Sequence, residues 1–392
     1  MQRTLVYVWL LGALLLSACG TPQEETPPSP TPIPTATPAP RTLVVWHPFS
    51  GEEAQALEHM RLNFEAQYPH IDVQLRAYPA AELFDAFVAA AEAGGGPDML
   101  LGPATWAGTL AEQGWLAPVP WDTYDTLADF IPQALIYATQ LGEDAFGVPF
   151  SAEFATLYFN RALMPEAPQT YTELQTQARA VGLLVAPNFA ATSGLYFQDN
   201  GPDALGRAWL TQAGAEAYLA RVQQLSEQRG VTFAEEWELF TAGQVGMLLA
   251  SSEAYTALHE ALGDELGVAP PPMLMPHPWR ALARSTVAMQ SINATRAAQE
   301  ASELFWRYLL TAEAGALWFE RTGHVPVNVT ALPAPLYNAW QRTLDDAITL
   351  PPYREAAQTE LLALDAAVRA VTLEGVPPAA AAEALMEALA AQ

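Results

Sequence analysis

"TLVVWHPFSGEEAQALEHMRLNFEAQYPHIDVQLRAY", residues 42–78, sets the fold class of this chain. "TLVVW" (42–46) is a short β-rich run and reads as a buried strand. Residues 50–68 follow with Ala54, Leu57, Met60, Leu62 and Phe64 at mostly helical spacing, and Ser50 with Glu53 makes a capping-box signature. Pro69 stops that helix, and "IDVQLRAY" (71–78) alternates as a second strand. The pattern continues outward. "AELFDAFVAAAEAG" (81–94) is a helix closed by "GGGP", "DMLLG" (98–102) is a third strand, and "ATWAGTLAEQGW" (104–115) is a third helix. Strand, helix, strand, helix, strand defines an α/β protein with parallel-rich sheets and crossover helices.

The whole chain has 392 residues, enough for two domains with a sizeable core. Its formal net charge is -26, and every one of its 17 basic residues is Arg. Such an acidic surface argues against nucleic acid or an anionic membrane as the main partner. The absence of Lys excludes a phosphate-loop lysine and Schiff-base chemistry.

Residues 1–18 have the anatomy of a secretion signal: Arg3, then an apolar run from Leu5 to Leu16, then small residues. The run is too short for a typical spanning helix of ~20 residues. "LSAC" (16–19) resembles a bacterial lipoprotein lipobox, which implies cleavage before Cys19 and acylation of its thiol. Cys19 is the single cysteine, so no internal disulfide forms. Residues 21–40 hold eight prolines and no aromatic residue, a composition that favours extended polyproline II. With Cys19 they read as a tether, able to hold a domain up to roughly 60 Å from its anchor at ~3.1 Å per residue.

Six stretches together resemble the extracellular solute-binding proteins of ABC importers, in the group that includes maltose-binding protein. They are "TLVVWHPFSG" with "FEAQYPHIDVQL"; "GGGPDMLLGPATWAGTLAEQGWLAPV"; "AFGVPFSAEFATLYFNRALM"; "QTYTEL"; "FTAGQVGMLLASSEAY"; and "EASELFWRYLLTAEAGALWFERTGHVPVN". Each is weak alone, and their order is specific. The resemblance covers about 350 residues and implies a two-lobed periplasmic-binding-protein-like fold with a ligand cleft between lobes. On that template, lobe 1 is 41–149 plus 284–325 and lobe 2 is 150–283 plus 326–392.

Open α/β sheets bind ligands beyond the carboxyl ends of their strands. Phe49 and Ser50 lie in the first such turn, and Trp106 follows the third strand. Trp46 ends a strand and reads equally well as core. Glu153 sits inside the apolar run "GVPFSAEFATLYFN" (147–160), where the template first crosses between lobes. A carboxylate among apolar groups needs partners. Ligand hydroxyls, or Arg284 or Arg161, are the candidates. Lobe 2 offers Tyr196 and Phe189, then Glu253 and Tyr255 in "SSEAY" (251–255). Sugar binders of the family show Trp-rich loops at this last place, and Glu253 stands there instead. The second crossing, "PHPWRALARSTVAMQS" (276–291), offers Arg284, Arg280, Ser285 and Trp279.

Enzyme motifs are sparse. None of the six histidines makes H-E-x-x-H or a paired metal-ligand spacing, and there is no G-x-S-x-G elbow. "GGGP" (94–97) joins helix to strand, the wrong order for a phosphate loop. The expectation is therefore a monomeric, lipid-anchored, extracytoplasmic binder with no cofactor and no metal. It captures a small solute, foremost a sugar or oligosaccharide, and hands it to an ABC permease. Three alternatives stay open: a cationic or amine-bearing solute, for which Glu153 and Glu253 would be the site; a sensor lipoprotein; and a two-carboxylate glycosidase.

Overall fold

A computed structural model describes residues 39–120, 131–188, 210–234, 237–272 and 280–391. The first strand, β1 (Arg41–His47), is followed by α1 (Gly51–Gln67), β2 (Ile71–Ala77), α2 (Ala80–Glu92), β3 (Met99–Pro103) and α3 (Ala107–Glu112). β1 pairs in parallel with both β2 and β3, as the βαβ spacing requires. Ser50 occupies the N-cap position of α1 with extended backbone angles, but the expected capping box is not formed. The Glu53 side chain is engaged elsewhere, with His324. Leu62 also differs from expectation: it is exposed, while Ala56, Leu57, Met60 and Phe64 form the buried stripe.

The chain then enters β4 (Val148–Asn160), a strand of 13 residues. After it come α4 (Tyr171–Val181), β5 (Leu183–Val185), α5 (Gln212–Ser226), β6 (Val231–Phe233), β7 (Met247–Ser251), α6 (Tyr255–Leu262) and β8 (Leu266–Ala269). β9 (Leu282–Ser291) returns beside β4 and is followed by α7 (Arg296–Leu309), α8 (Ala312–Thr322), α9 (Ala334–Asp345), α10 (Arg354–Thr372) and α11 (Pro378–Ala390).

The strand order is β2-β1-β3-β9-β4-β7-β5-β6, with β8 also on β4. β4 joins the two halves of this order. Its first part, to Phe154, pairs antiparallel with β9, and its second part, from Ala155, pairs with β7. Pro149 has no N–H to give to a ladder, and the register with β9 shifts beside it, between Thr286 and Val287. A third segment, Val325–Pro326, pairs with Ser151 and Ala152 of β4. Three chain segments thus run side by side where the halves meet.

The first core gathers Leu43, Val45, Phe64, Ile71 and Val73 under Phe305 and Trp306 of α7. α9 lies at the junction, with Trp340 edge-on to Phe154 and Tyr255. The second core packs β5, β7 and α5 against α10 and the Ala-rich α11. Trp306, Trp318 and Trp340 are fully or almost fully buried. Truncating any of them to Ala removes roughly 3–5 kcal/mol of stability.

Candidate functional site

Of the thirteen residues of β4, Glu153 is the only one not buried. It stands one residue before the switch from β9 to β7 pairing. Arg284 is its cross-strand partner on β9, and their side chains form an ion pair. The Ser251 hydroxyl donates to Glu153 Oε1 at 2.9 Å and accepts from the Glu253 backbone N–H at 3.3 Å. The Glu253 carboxyl lies near enough to Glu153 for the two to repel. Arg161 is not the partner of Glu153; it lies over the Phe159 ring.

Glu153, Glu253 and Arg284 line a cleft of about 340 Å³ between the two sheet halves. Phe49, Glu53, Trp318 and His324 complete its charged end. His324 Nε2 lies 2.9 Å from Glu53 and its Nδ1 lies 3.4 Å from Glu253. Local structure aims this ring. Gly323 ends α8 in the left-handed conformation at φ +74°, and a Cβ there would strike Thr256 Oγ1 at 2.3 Å. The imidazole emerges directly from that cap and stacks on Trp318 at 5.9 Å.

A second cavity of about 250 Å³ adjoins the first through Pro103, Arg284 and Ser285, which line both. Trp106 forms one wall. Its ring lies over Gly102, where an added Cβ would come within 2.8 Å of it, and edge-on to Phe84. Leu350, Leu361 and Arg354 also line the cavity. Three buried polar atoms here have no hydrogen-bond partner: Arg284 Nε, Ser285 Oγ and Thr349 Oγ1. Buried polar groups are nearly always paired, so three orphans lining one cavity are exceptional.

Burial, and then the nearby Glu153, raise the pKa of Glu253, although His324 and Arg284 oppose them. His324 is raised as well. Burial alone would lower it, but the Glu53 hydrogen bond and the carboxylates of Glu253, Glu53 and Glu153 outweigh that. His47 is pushed down to about 4 by burial, only partly offset by Glu53. Among the described residues no group of His, Cys, Asp and Glu is arranged to hold a metal ion. The His324 nitrogens face different carboxylates rather than one common point.

The structure therefore brings Phe49, Glu153, Glu253 and Arg284 into one cleft, with Trp106 in the adjoining cavity. Ser50 is exposed at the mouth of α1 and lines neither cavity. Tyr255 lines neither; it is packed between His259, Phe319 and Trp340. Trp46 packs on Tyr78 in the core, and Arg280 donates to the Asp346 carbonyl. Tyr196, Phe189, Trp279 and Cys19 lie outside the described residues. Glu53, His324 and Thr349 were not anticipated. The only signal for His324 was its place beside the "PV" of a family motif.

Two α/β halves joined by side-by-side strands, with a cleft over the junction, define a two-lobed binding protein. The chain belongs to the bacterial extracellular solute-binding protein family, whose model matches residues 60–343. Membership places it outside the cytoplasm. No helix among the described residues is long and apolar enough to cross a membrane. A maltotriose-binding protein of Pyrococcus abyssi is 30% identical over 134 residues, 34% of this chain and 29% of that relative. The chain thus matches less than a third of that relative's length. An extracellular solute-binding protein from Staphylococcus aureus, solved in complex with maltose, superposes at TM-score 0.76 with 17% identity, covering 90% of this chain and 98% of that one. The maltose-maltodextrin binding protein of Alicyclobacillus acidocaldarius superposes at 0.65 with 22% identity, covering 89% and 100%. At these identities the superpositions speak for the fold alone.

Proposed function

We propose that the chain captures a sugar or oligosaccharide in this cleft and delivers it to an ABC permease. In this reading it works as a monomer held to the membrane through lipidated Cys19. The observation that carries it is the cavity wall. Trp106 and three unpartnered buried polar atoms, Arg284 Nε, Ser285 Oγ and Thr349 Oγ1, line the same cavity. A sugar ring presents an apolar C–H face to an aromatic and hydroxyls to polar groups, which is the complement of that wall. The relatives named for maltotriose and maltose binding support the same solute class. We take the lobes as 41–149 plus 284–325 and 150–283 plus 326–392, rocking about the three junction segments. Capture would need no chemistry; closed-state contacts from both lobes drive closure.

A glycosidase needs carboxyl groups about 5 Å or more apart, with room for a sugar or a water between them. Glu153 is already engaged by Arg284 and the Ser251 hydroxyl, and Glu253 by His324. The second reading, an amine-bearing solute, is favoured by one observation. Three carboxylates, Glu53, Glu153 and Glu253, face two cationic partners, Arg284 and His324. Titration calorimetry with maltotriose, maltose and a polyamine separates these readings: heat from a sugar supports the first, and heat from the polyamine alone replaces it.

A further inference from the structure

His324 has a carboxylate at each ring nitrogen, Glu53 at Nε2 and Glu253 at Nδ1. An ionised carboxylate only accepts, and a neutral imidazole carries one N–H. Nε2 hydrogen-bonds Glu53 and Nδ1 faces the Glu253 carboxylate as an ion pair, an arrangement that an imidazolium satisfies on both sides and a neutral ring on one. Its surroundings agree. Trp318 stacks on the ring within cation–π range, and its Nε1–H is turned away to Ser151. The charged groups facing the ring come from every element around it: Glu53 from α1, Glu253 from the turn before α6 and Glu153 from β4, with Arg284 of β9 behind them. The balance of these influences keeps His324 protonated above its ordinary 6.5. Glu53 belongs to the β1 side of the cleft and Glu253 to the β7 side, so the ring ties the two walls together.

We propose that His324 is a positioning residue of the solute cleft, whose proton holds Glu53 and Glu253 in place and thereby couples solute affinity to pH. The bridge needs an ionised Glu253 and a charged His324. Affinity is then greatest between the titrations of these two groups. It falls as pH rises through the His324 titration, where Glu253 loses its tie and faces Glu153 with only Arg284 to offset the repulsion.

The coupling to affinity rests on the solute-binding reading above; the protonated bridge itself does not. The test therefore has two arms on the full-length chain. In the first, imidazole ¹⁵N NMR follows His324, assigned with His324→Gln. Titration above 6.5, moving downward in Glu53→Gln and in Glu253→Gln, is expected. Titration at or below 6.5, or no movement in either variant, overturns the bridge. In the second, maltotriose affinity is measured across pH. A loss of about tenfold is expected on the alkaline side, with a flat profile in His324→Gln. A flat profile in the unaltered chain overturns the coupling. If maltotriose does not bind at any pH, the carbohydrate reading fails, and the NMR arm alone decides whether the bridge stands.

Discussion

Glu153 and Arg284 stand directly opposite one another on antiparallel strands β4 and β9, and their side chains pair at the floor of the cleft. A cross-strand ion pair of this kind has two roles that can be separated. It fixes the register where the halves join, and, in the proposed function, it orients a carboxylate toward the solute. Arg284 keeps 37% of its side chain accessible, so it tolerates loss of its partner. Glu153→Gln should therefore leave the fold intact and weaken solute binding by about 1–3 kcal/mol, the scale of a charged hydrogen bond. Unchanged affinity in a folded variant would confine Glu153 to the junction.

Ser285 and Thr349 make the opposite test, since their buried hydroxyls have no partner to lose. Ser285→Ala and Thr349→Val should leave thermal stability unchanged or raise it, while each weakens sugar binding by roughly 1 kcal/mol. Reduced stability with normal binding would mean that the hydroxyls serve the fold.

Glu253 carries an electrostatic cost in the folded chain. Burial first, and Glu153 second, raise its pKa, so its ionised form is disfavoured in the folded chain. A carboxyl raised on folding destabilises the native state as pH climbs through its titration. Neutralising it removes that cost. Melting of the ligand-free chain near pH 7 should show Glu253→Gln equal to or above the unaltered chain, with weaker solute binding in the same variant. A clear drop in melting temperature would mean that its contact with His324 outweighs the repulsion.

His47 governs the acid side. It is only 4% exposed, and its pKa is lowered from 6.5 to about 4. The unfolded chain takes up a proton at His47 in that window while the folded chain does not. Stability should therefore fall as pH drops from 6.5 toward 4, by on the order of 3 kcal/mol from this residue. Chemical unfolding of the unaltered chain and His47→Gln across that range measures it. Parallel pH dependence in the two chains would contradict the assignment.

The βαβαβ opening was legible because strand alternation and helical spacing are local signals, and β1 to α3 follow them closely. The long β4 was legible as an apolar run, and Glu153 as its one discordant residue. What local pattern does not carry is which side chains meet across the halves. Ser50 and Glu53 satisfied the capping-box spacing, yet Glu53 found a better partner in His324, 271 residues away. Tyr255 looked like a stacking ring beside Glu253. It lies two residues further on, at the start of α6, and is packed among His259, Phe319 and Trp340 instead. Thr349 became a candidate only because α10 and the segment before it fold back over Trp106.

The central claim is capture of a sugar between two moving halves. Small-angle scattering of the chain, with and without maltotriose at 100 times its calorimetric dissociation constant, tests it most directly. The account predicts a measurable decrease in radius of gyration together with a rise in stability of ~2.7 kcal/mol. Binding with no compaction would contradict closure, and no heat with any sugar tried would contradict the carbohydrate reading itself.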